Sequence, residues 1–193
     1  MKALYSYIVK PKGERYNNSV DVDGKKLILN TEIFNHQYIN REAEVLALPS
    51  SISSELRVGD TAIVHHNVFR RWHNIRGVEK NSRSYYKEDM YFISDDQIFA
   101  YKRNNKLRPL KGFCFVKPLK STDEFCTKKE KPLVGVVKYS DGSVEQGDLI
   151  GFHPGSEYEF IIDGERLYRV KSNLITIKYE YQGDEEEYNP SWA

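Results

Sequence analysis

Short runs in which apolar and polar residues alternate, separated by clusters of turn formers, fill most of this 193-residue chain. Tyr5 to Val9, closed by Lys10-Pro11, and Glu44 to Leu48 have strand patterns. Further along, Tyr158 to Ile162 and Leu167 to Val170 partly alternate, as half-buried antiparallel strands do. Ser140-Asp141-Gly142-Ser143, His153-Pro154-Gly155-Ser156 and Asp163-Gly164-Glu165 supply the turn chemistry. No stretch keeps a helical period over three turns. The pattern predicts an all-β chain.

Between the first two strands lies Arg15 to Asn40 (about 15–40), polar and without a period except for the apolar triplet Leu27-Ile28-Leu29. A loop of that length inside a compact domain is usually functional or disordered. A triplet there has no core to join, so the loop reads as a docking arm whose contact residues are Leu27, Ile28 and Leu29. The plainer alternative is a short buried strand.

The chain also repeats itself. Tyr7-Ile8-Val9-Lys10-Pro11 recurs as Cys114-Phe115-Val116-Lys117-Pro118, at a separation of 107. Glu44 to Ala47 answers to Gly135 to Lys138 at 91, and Val58 to Ile63 answers to Gln146 to Gly151 at 88. Asp96 to Tyr101 answers to Ser172 to Ile177 at 76. Four short matches in one order point to duplication, which is sought first because it decides the architecture. The separation falls by 16 from 107 to 91 and by 12 from 88 to 76, so copy one carries the long loops: the docking arm and an insertion around Val68 to Glu88 (about 68–88). Asn104-Asn105-Lys106 reads as the hinge. Domains at 1–103 and 107–180 follow, with an acidic tail, 183–193, holding Asp184-Glu185-Glu186-Glu187; the tail is expected to be disordered unless Trp192 finds a pocket.

Composition narrows the function classes. Fourteen Tyr and nine Phe against two Met favour strands. A net charge of +1 gives no prior for nucleic acid or membrane. No apolar run approaches the roughly 20 residues of a spanning helix, and Met1-Lys2 leads straight into a strand pattern, so a cytoplasmic protein is expected. Cys114 and Cys126 are then expected to be reduced, with Cys114 as a small buried residue.

Candidate chemistry is sparse. The insertion carries Arg70, Arg71, Arg76, Lys80, Arg83 and Lys87 against Glu79 and Glu88, net +4, among Phe69, Trp72, Tyr85 and Tyr86. Cations among aromatic rings are what a single-strand nucleic-acid surface uses, but a solvated loop or a subunit contact is the preferred reading. His65-His66 and His73 resemble metal ligands only in type: neighbours on a strand point to opposite faces, and no cysteine or carboxylate cluster completes a site. There is no nucleophile elbow, phosphate-binding loop or dinucleotide fingerprint. The expectation is no catalysis, no cofactor and no metal.

In order and spacing these motifs resemble the GroES-like co-chaperonins. That family's layout is a first strand ending in a valine-lysine step (Ile8-Val9-Lys10), a mobile loop with an apolar triplet (Leu27-Ile28-Leu29), then Ala43-Glu44-Val45-Leu46-Ala47, Val58-Gly59-Asp60 and a closing strand, Ile93 to Ala100. Copy two repeats the layout from Pro109 to Lys178. The chain departs from the family at Gly24-Lys25-Lys26, where two glycines are usual, and between Leu48 and Val58, which is short for the family's roof hairpin. Copy two's loop, Leu119 to Leu133, offers Phe125 but no triplet. Zinc-dependent alcohol dehydrogenases also contain a GroES-like domain, but this chain lacks their nucleotide half and cysteine ligands.

The resemblance implies two tandem, partly open β-barrels whose first and last strands pair with neighbours in a homo-oligomeric ring. It implies a non-enzymatic lid that caps a GroEL-type chaperonin in an ATP-dependent cycle, enclosing an unfolded client protein. On this reading copy one docks and copy two is architectural. Fused, divergent copies in a tyrosine- and charge-rich chain fit a bacteriophage source. The rival reading keeps the barrels as a structural assembly scaffold, and a third is a single-strand nucleic-acid binder.

Overall fold

A computed structural model of the protein describes residues 3–31, 33, 35–121, 129–180, 183, 187 and 188. These form strands and single 3-10 turns. The chain divides into two compact units, Met1–Lys106 and Leu107–Ala193.

The first unit is built on β1 (Tyr7–Pro11), β4 (Glu42–Ala47), β5 (Thr61–Val64), β8 (Tyr85–Lys87), β9 (Met90–Ile93) and β10 (Ile98–Arg103). With β11 (Lys106–Pro109) they make a seven-stranded sheet in the order β11-β10-β5-β4-β1-β9-β8. In β4, Ala43, Val45 and Ala47 are buried while Glu42, Glu44 and Leu46 are less so, the alternation of a strand with one face inward. Lys10 lies opposite Glu44 across β1 and β4 and pairs with it at 3.0 Å. Two further hairpins stand apart from the sheet: β2 (Ser19–Val22) with β3 (Lys25–Ile28), and β6 (Arg71–His73) with β7 (Glu79–Asn81). Under the sheet, Phe69 meets Tyr91 edge to face at 4.8 Å, a favourable aromatic geometry, with Val9, Val45 and Ile98 fully buried.

The second unit has β12 (Phe113–Lys120), β13 (Glu130–Tyr139), β14 (Leu149–Phe152), β15 (Tyr158–Ile162), β16 (Glu165–Lys171) and β17 (Ile175–Tyr179). Its six-stranded sheet runs β15-β16-β12-β13-β14-β17. Val116, Val137, Ile150, Phe152 and Val170 form its core cluster. The expected loop from Leu119 to Leu133 is much shorter: β12 extends to Lys120 and β13 begins at Glu130, with Leu119 fully buried. Phe125 and Cys126 lie outside the described residues, as do most of the acidic tail and Trp192.

Without β11, the two sheets repeat one strand order, with β1, β4, β5, β8, β9 and β10 answering to β12, β13, β14, β15, β16 and β17. The registers repeat as well. Val9 faces Val45 and Val116 faces Val137, and each strand pair has a bulge just before, at Ile8/Val9 and at Phe115/Val116. A second bulge recurs between Ile98/Ala100 and between Gly151/Phe152 in the matching ladders. This pairing corrects two of the alignments made on sequence: Val45 corresponds to Val137, a separation of 92 (137 − 45), and Ile98 to Ile175, a separation of 77 (175 − 98). A one-residue slip exchanges the faces of a strand, and adjacent apolar residues such as Val136-Val137 hide it in the sequence. The first loop is therefore shorter in the second unit by 107 minus 92, that is 15 residues.

The turn before the third repeated strand recurs down to its hydrogen bonds. Asp60 accepts from the Arg57 backbone N–H at 2.7 Å and Asp148 from that of Glu145 at 2.9 Å. Gly59 and Gly147, at φ 90 and 94, each donate to the strand carbonyl at 2.8 Å, Val45 and Val137 respectively. A left-handed backbone explains the glycine of each Gly-Asp pair. Asn104 and Asn105 also have positive φ, 52 and 58, so the expected hinge is a tight two-residue turn joining β10 to β11.

Neither sheet closes on itself: β11 and β8 are edges of one, β15 and β17 of the other. Among the described residues there is thus an all-β fold of open sheets and no closed barrel.

Candidate docking hairpin

The loop from Arg15 to Asn40 is not structureless. Its centre is the β2–β3 hairpin, turned by Asp23-Gly24 with φ 51 and 72, the two left-handed residues a type I′ turn requires. The sequence pattern missed it because only Val20-Asp21-Val22 alternates, while the second strand reads as two blocks, Lys25-Lys26 and Leu27-Ile28-Leu29. Val20 lies opposite Leu27, and Val22 opposite Lys25. Alternation then places Val20, Val22, Leu27 and Leu29 on one face and Ile28 on the other.

All three expected contact residues are exposed, Leu27 at 56%, Ile28 at 60% and Leu29 at 49%. The plainer alternative, a buried strand, does not describe them. Val20 and Val22, at 46% and 49%, belong to the same apolar face and were not singled out from sequence. Their signal was available only as the Val-x-Val alternation, which is too short to stand out.

The base of the loop is fastened to the insertion around β6 and β7 and to the chain that links β1 and β4. Arg15 donates from Nε to the Phe69 carbonyl at 2.6 Å and from a terminal nitrogen to Asn81 Oδ1 at 2.6 Å. Tyr16 is buried; its hydroxyl donates to the Ile33 carbonyl at 3.0 Å and accepts from the Arg71 N–H at 2.8 Å. Buried Asn40 donates to the carbonyls of Lys12 and Glu14 at 2.9 and 2.8 Å and accepts from the Glu42 N–H. Residues that read as loop filler thus serve as clamps, and the hairpin projects from a fixed root.

The insertion is a second hairpin, and it sorts the residues grouped in sequence. Phe69 is core, fully buried, whereas Trp72 is 44% exposed and the tip residue Ile75 wholly exposed. Arg71 pairs with Glu79 at 3.1 Å and stacks over Tyr16 at 4.7 Å.

The histidine argument from strand alternation fails. β5 ends at Val64, His65 caps a 3-10 turn by accepting from the Asn67 N–H at 3.1 Å, and the rings of His65 and His66 come within 4.3 Å. His36 lies 5.6 Å from His66. Burial, with the nearby His65, Arg41, His36 and Arg70, pushes His66 down to about 3. Among the described residues no group of three or more His, Cys, Asp or Glu is placed to hold a metal ion. Cys114 is buried, within 3.4 Å of Ser172 Oγ. No helix of the described residues is long and apolar enough to cross a membrane.

Set against known proteins, the chain matches no family model and no curated protein.

Proposed function

We propose that this chain is a co-chaperonin, a non-enzymatic lid that docks on a GroEL-type chaperonin through the β2–β3 hairpin and encloses an unfolded client protein during the ATP cycle. The observation that carries this reading is the exposed apolar face of Val20, Val22, Leu27 and Leu29, with Ile28 behind it, on a hairpin whose root is clamped by Arg15, Tyr16 and Asn40. The hairpin sits between the first two strands of one copy of a doubled architecture, where the second copy is 15 residues shorter (107 minus 92). Each open sheet is, on this reading, a GroES-like barrel completed by its neighbours in a ring.

Burying each Leu or Ile contributes about 1.5–3 kcal/mol, so the triplet supplies roughly 5–9 kcal/mol per loop. Ordering a free loop costs about 1–2 kcal/mol per residue, which would offset most of that within five residues. A hairpin already formed lowers this cost. Each contact stays weak enough to release, and a ring of several gains avidity because later contacts become intramolecular.

The test is co-sedimentation with the chaperonin, with and without ATP, of the native chain and of a Leu27→Ser, Ile28→Ser, Leu29→Ser variant. Nucleotide-dependent binding by the native chain, lost in the variant, is expected. The rival, an assembly scaffold, draws on the four open sheet edges and on exposed Ile177 and Tyr179 of β17. It is indifferent to both the triplet and ATP.

A further inference from the structure

The two faces of the β6–β7 hairpin treat their cations differently. On one face, Arg15 and Arg71 line a cleft that also holds carboxylates: Arg15 bonds the Phe69 carbonyl and Asn81, and Arg71 pairs through Nη1 with Glu79, although its Nε is buried without a partner. On the other face lies a cleft of about 350 Å³ lined by Asn67, Arg70, Trp72, Ser82, Arg83 and Ser84. That volume falls within the roughly 300–1,000 Å³ of small-ligand sites. No carboxylate lines it.

Arg70 reaches this cleft with its Nε buried and without a hydrogen-bond partner, as the Nε of Arg71 is too, but where Arg71 has Glu79 the Arg70 cleft is lined by no carboxylate. A buried guanidinium nitrogen left unpaired is costly, and such groups are normally bonded in a finished structure. The register puts Trp72 opposite Lys80, so alternation brings Arg70, Trp72, Lys80 and Ser82 to one side of the hairpin. Trp72 is 44% exposed and its ring is free to be covered. This side thus carries cations with no carboxylate in the lining, beside an open indole.

We propose that this cleft binds a nucleotide unit, with its phosphate held by Arg70 and Arg83 and its base stacked on Trp72. Arginine presents a planar fork that matches phosphate oxygens, and the indole face accepts any base. Ser82 donates its hydroxyl to the Val68 carbonyl at 2.6 Å and buried Ser84 accepts from Gln97 Nε2 at 3.4 Å, so both shape the cleft and the phosphate is left to the arginines. A single strand of nucleic acid and a free nucleotide share this chemistry. The site is separate from the docking hairpin and its test requires no chaperonin, so it stands or falls apart from the capping role.

The experiment is a titration of the full chain carrying Trp192→Phe, which leaves Trp72 as the one tryptophan. A twelve-residue oligo(dT) is expected to quench Trp72 fluorescence, with affinity falling as salt rises. Trp72→Ala and, separately, Arg83→Glu are expected to weaken binding of a labelled oligo(dT) about tenfold or more by anisotropy, a loss of the size stacking substitutions produce. Both residues are exposed, and unchanged circular dichroism is the check on folding. For Arg83→Glu the slope of log affinity against log salt should also shrink by about 0.7 or more, the share of one phosphate contact on a single strand. Thymidine monophosphate is the second arm: equal affinity per site places a free nucleotide here, and much weaker affinity places a strand. Equal binding of oligo-glutamate of the same charge, or variants that bind as the native chain does, would overturn the proposal.

Discussion

At the scale of single residues, the clearest consequence concerns His66. Its ring sits among His65, His36, Arg41 and Arg70, and burial with these neighbours pushes its pKa down to about 3 from an ordinary value of 6.5. Between those two pH values the unfolded chain binds a proton that the folded chain refuses, so stability falls as pH drops below about 6.5. Replacing His66 by Gln should flatten that decline; melting temperatures of both chains from pH 7.5 to pH 4 are the check. Asp141 acts in the same direction at lower pH. Burial alone would raise it, but hydrogen bonds from Ser143, the Gly112 N–H and Ser172 hold it at about 2 against an ordinary 3.8, so its contribution is lost mainly as pH falls below about 4, under the range of the histidine. A steric prediction arises at Gly135, where an added Cβ would lie 2.8 Å from the Lys117 carbonyl oxygen and 3.3 Å from Val116. Gly135→Ala is expected to cost about 1–3 kcal/mol in urea unfolding, as overpacking does. The equivalent residue of the first unit is Ala43, fully buried, so that copy carries a Cβ at the matching place.

Among elements, the β2–β3 hairpin separates stability from binding. Its strands and its apolar residues are exposed, so the triple serine variant should change the unfolding free energy by no more than about 0.5 kcal/mol, as surface substitutions do. A large loss of stability in that variant would mean the triplet has a packing role. The clamps behave in the reverse way. Asn40→Ala leaves the Lys12 and Glu14 carbonyls and the Glu42 N–H without their partner, a change worth about 1–3 kcal/mol for a buried group.

For the molecule as a whole, the repetition of strand order, bulges and Gly-Asp turns means that each sheet carries its own complete set of ladder hydrogen bonds. A fragment of residues 1–110 contains all eleven strands from β1 to β11, including β11 at the sheet edge. It is expected to unfold in a single cooperative thermal transition followed by circular dichroism. A broad, non-cooperative melt would show that the first unit depends on the rest of the chain.

Period-two patterns, turn formers and the internal repeat made the all-β class and the doubled layout legible in the chain itself, because both depend on local alternation and on the order of short motifs. The triplet Leu27-Ile28-Leu29 stood out for the same reason: apolar residues in a polar stretch need no fold to be noticed. Three things depended on tertiary structure. Register did, since Val136 and Val137 look alike until a partner strand chooses between them. The placement of Arg15, Tyr16 and Asn40 as clamps did, since their partners Phe69, Asn81, Arg71 and Lys12 lie up to 66 residues away. So did the sorting of the basic insertion, where Arg71 finds Glu79 and Arg70 faces a cleft lined by no carboxylate. A charge shows in the sequence, whereas whether it is neutralised depends on which groups folding brings within about 4 Å.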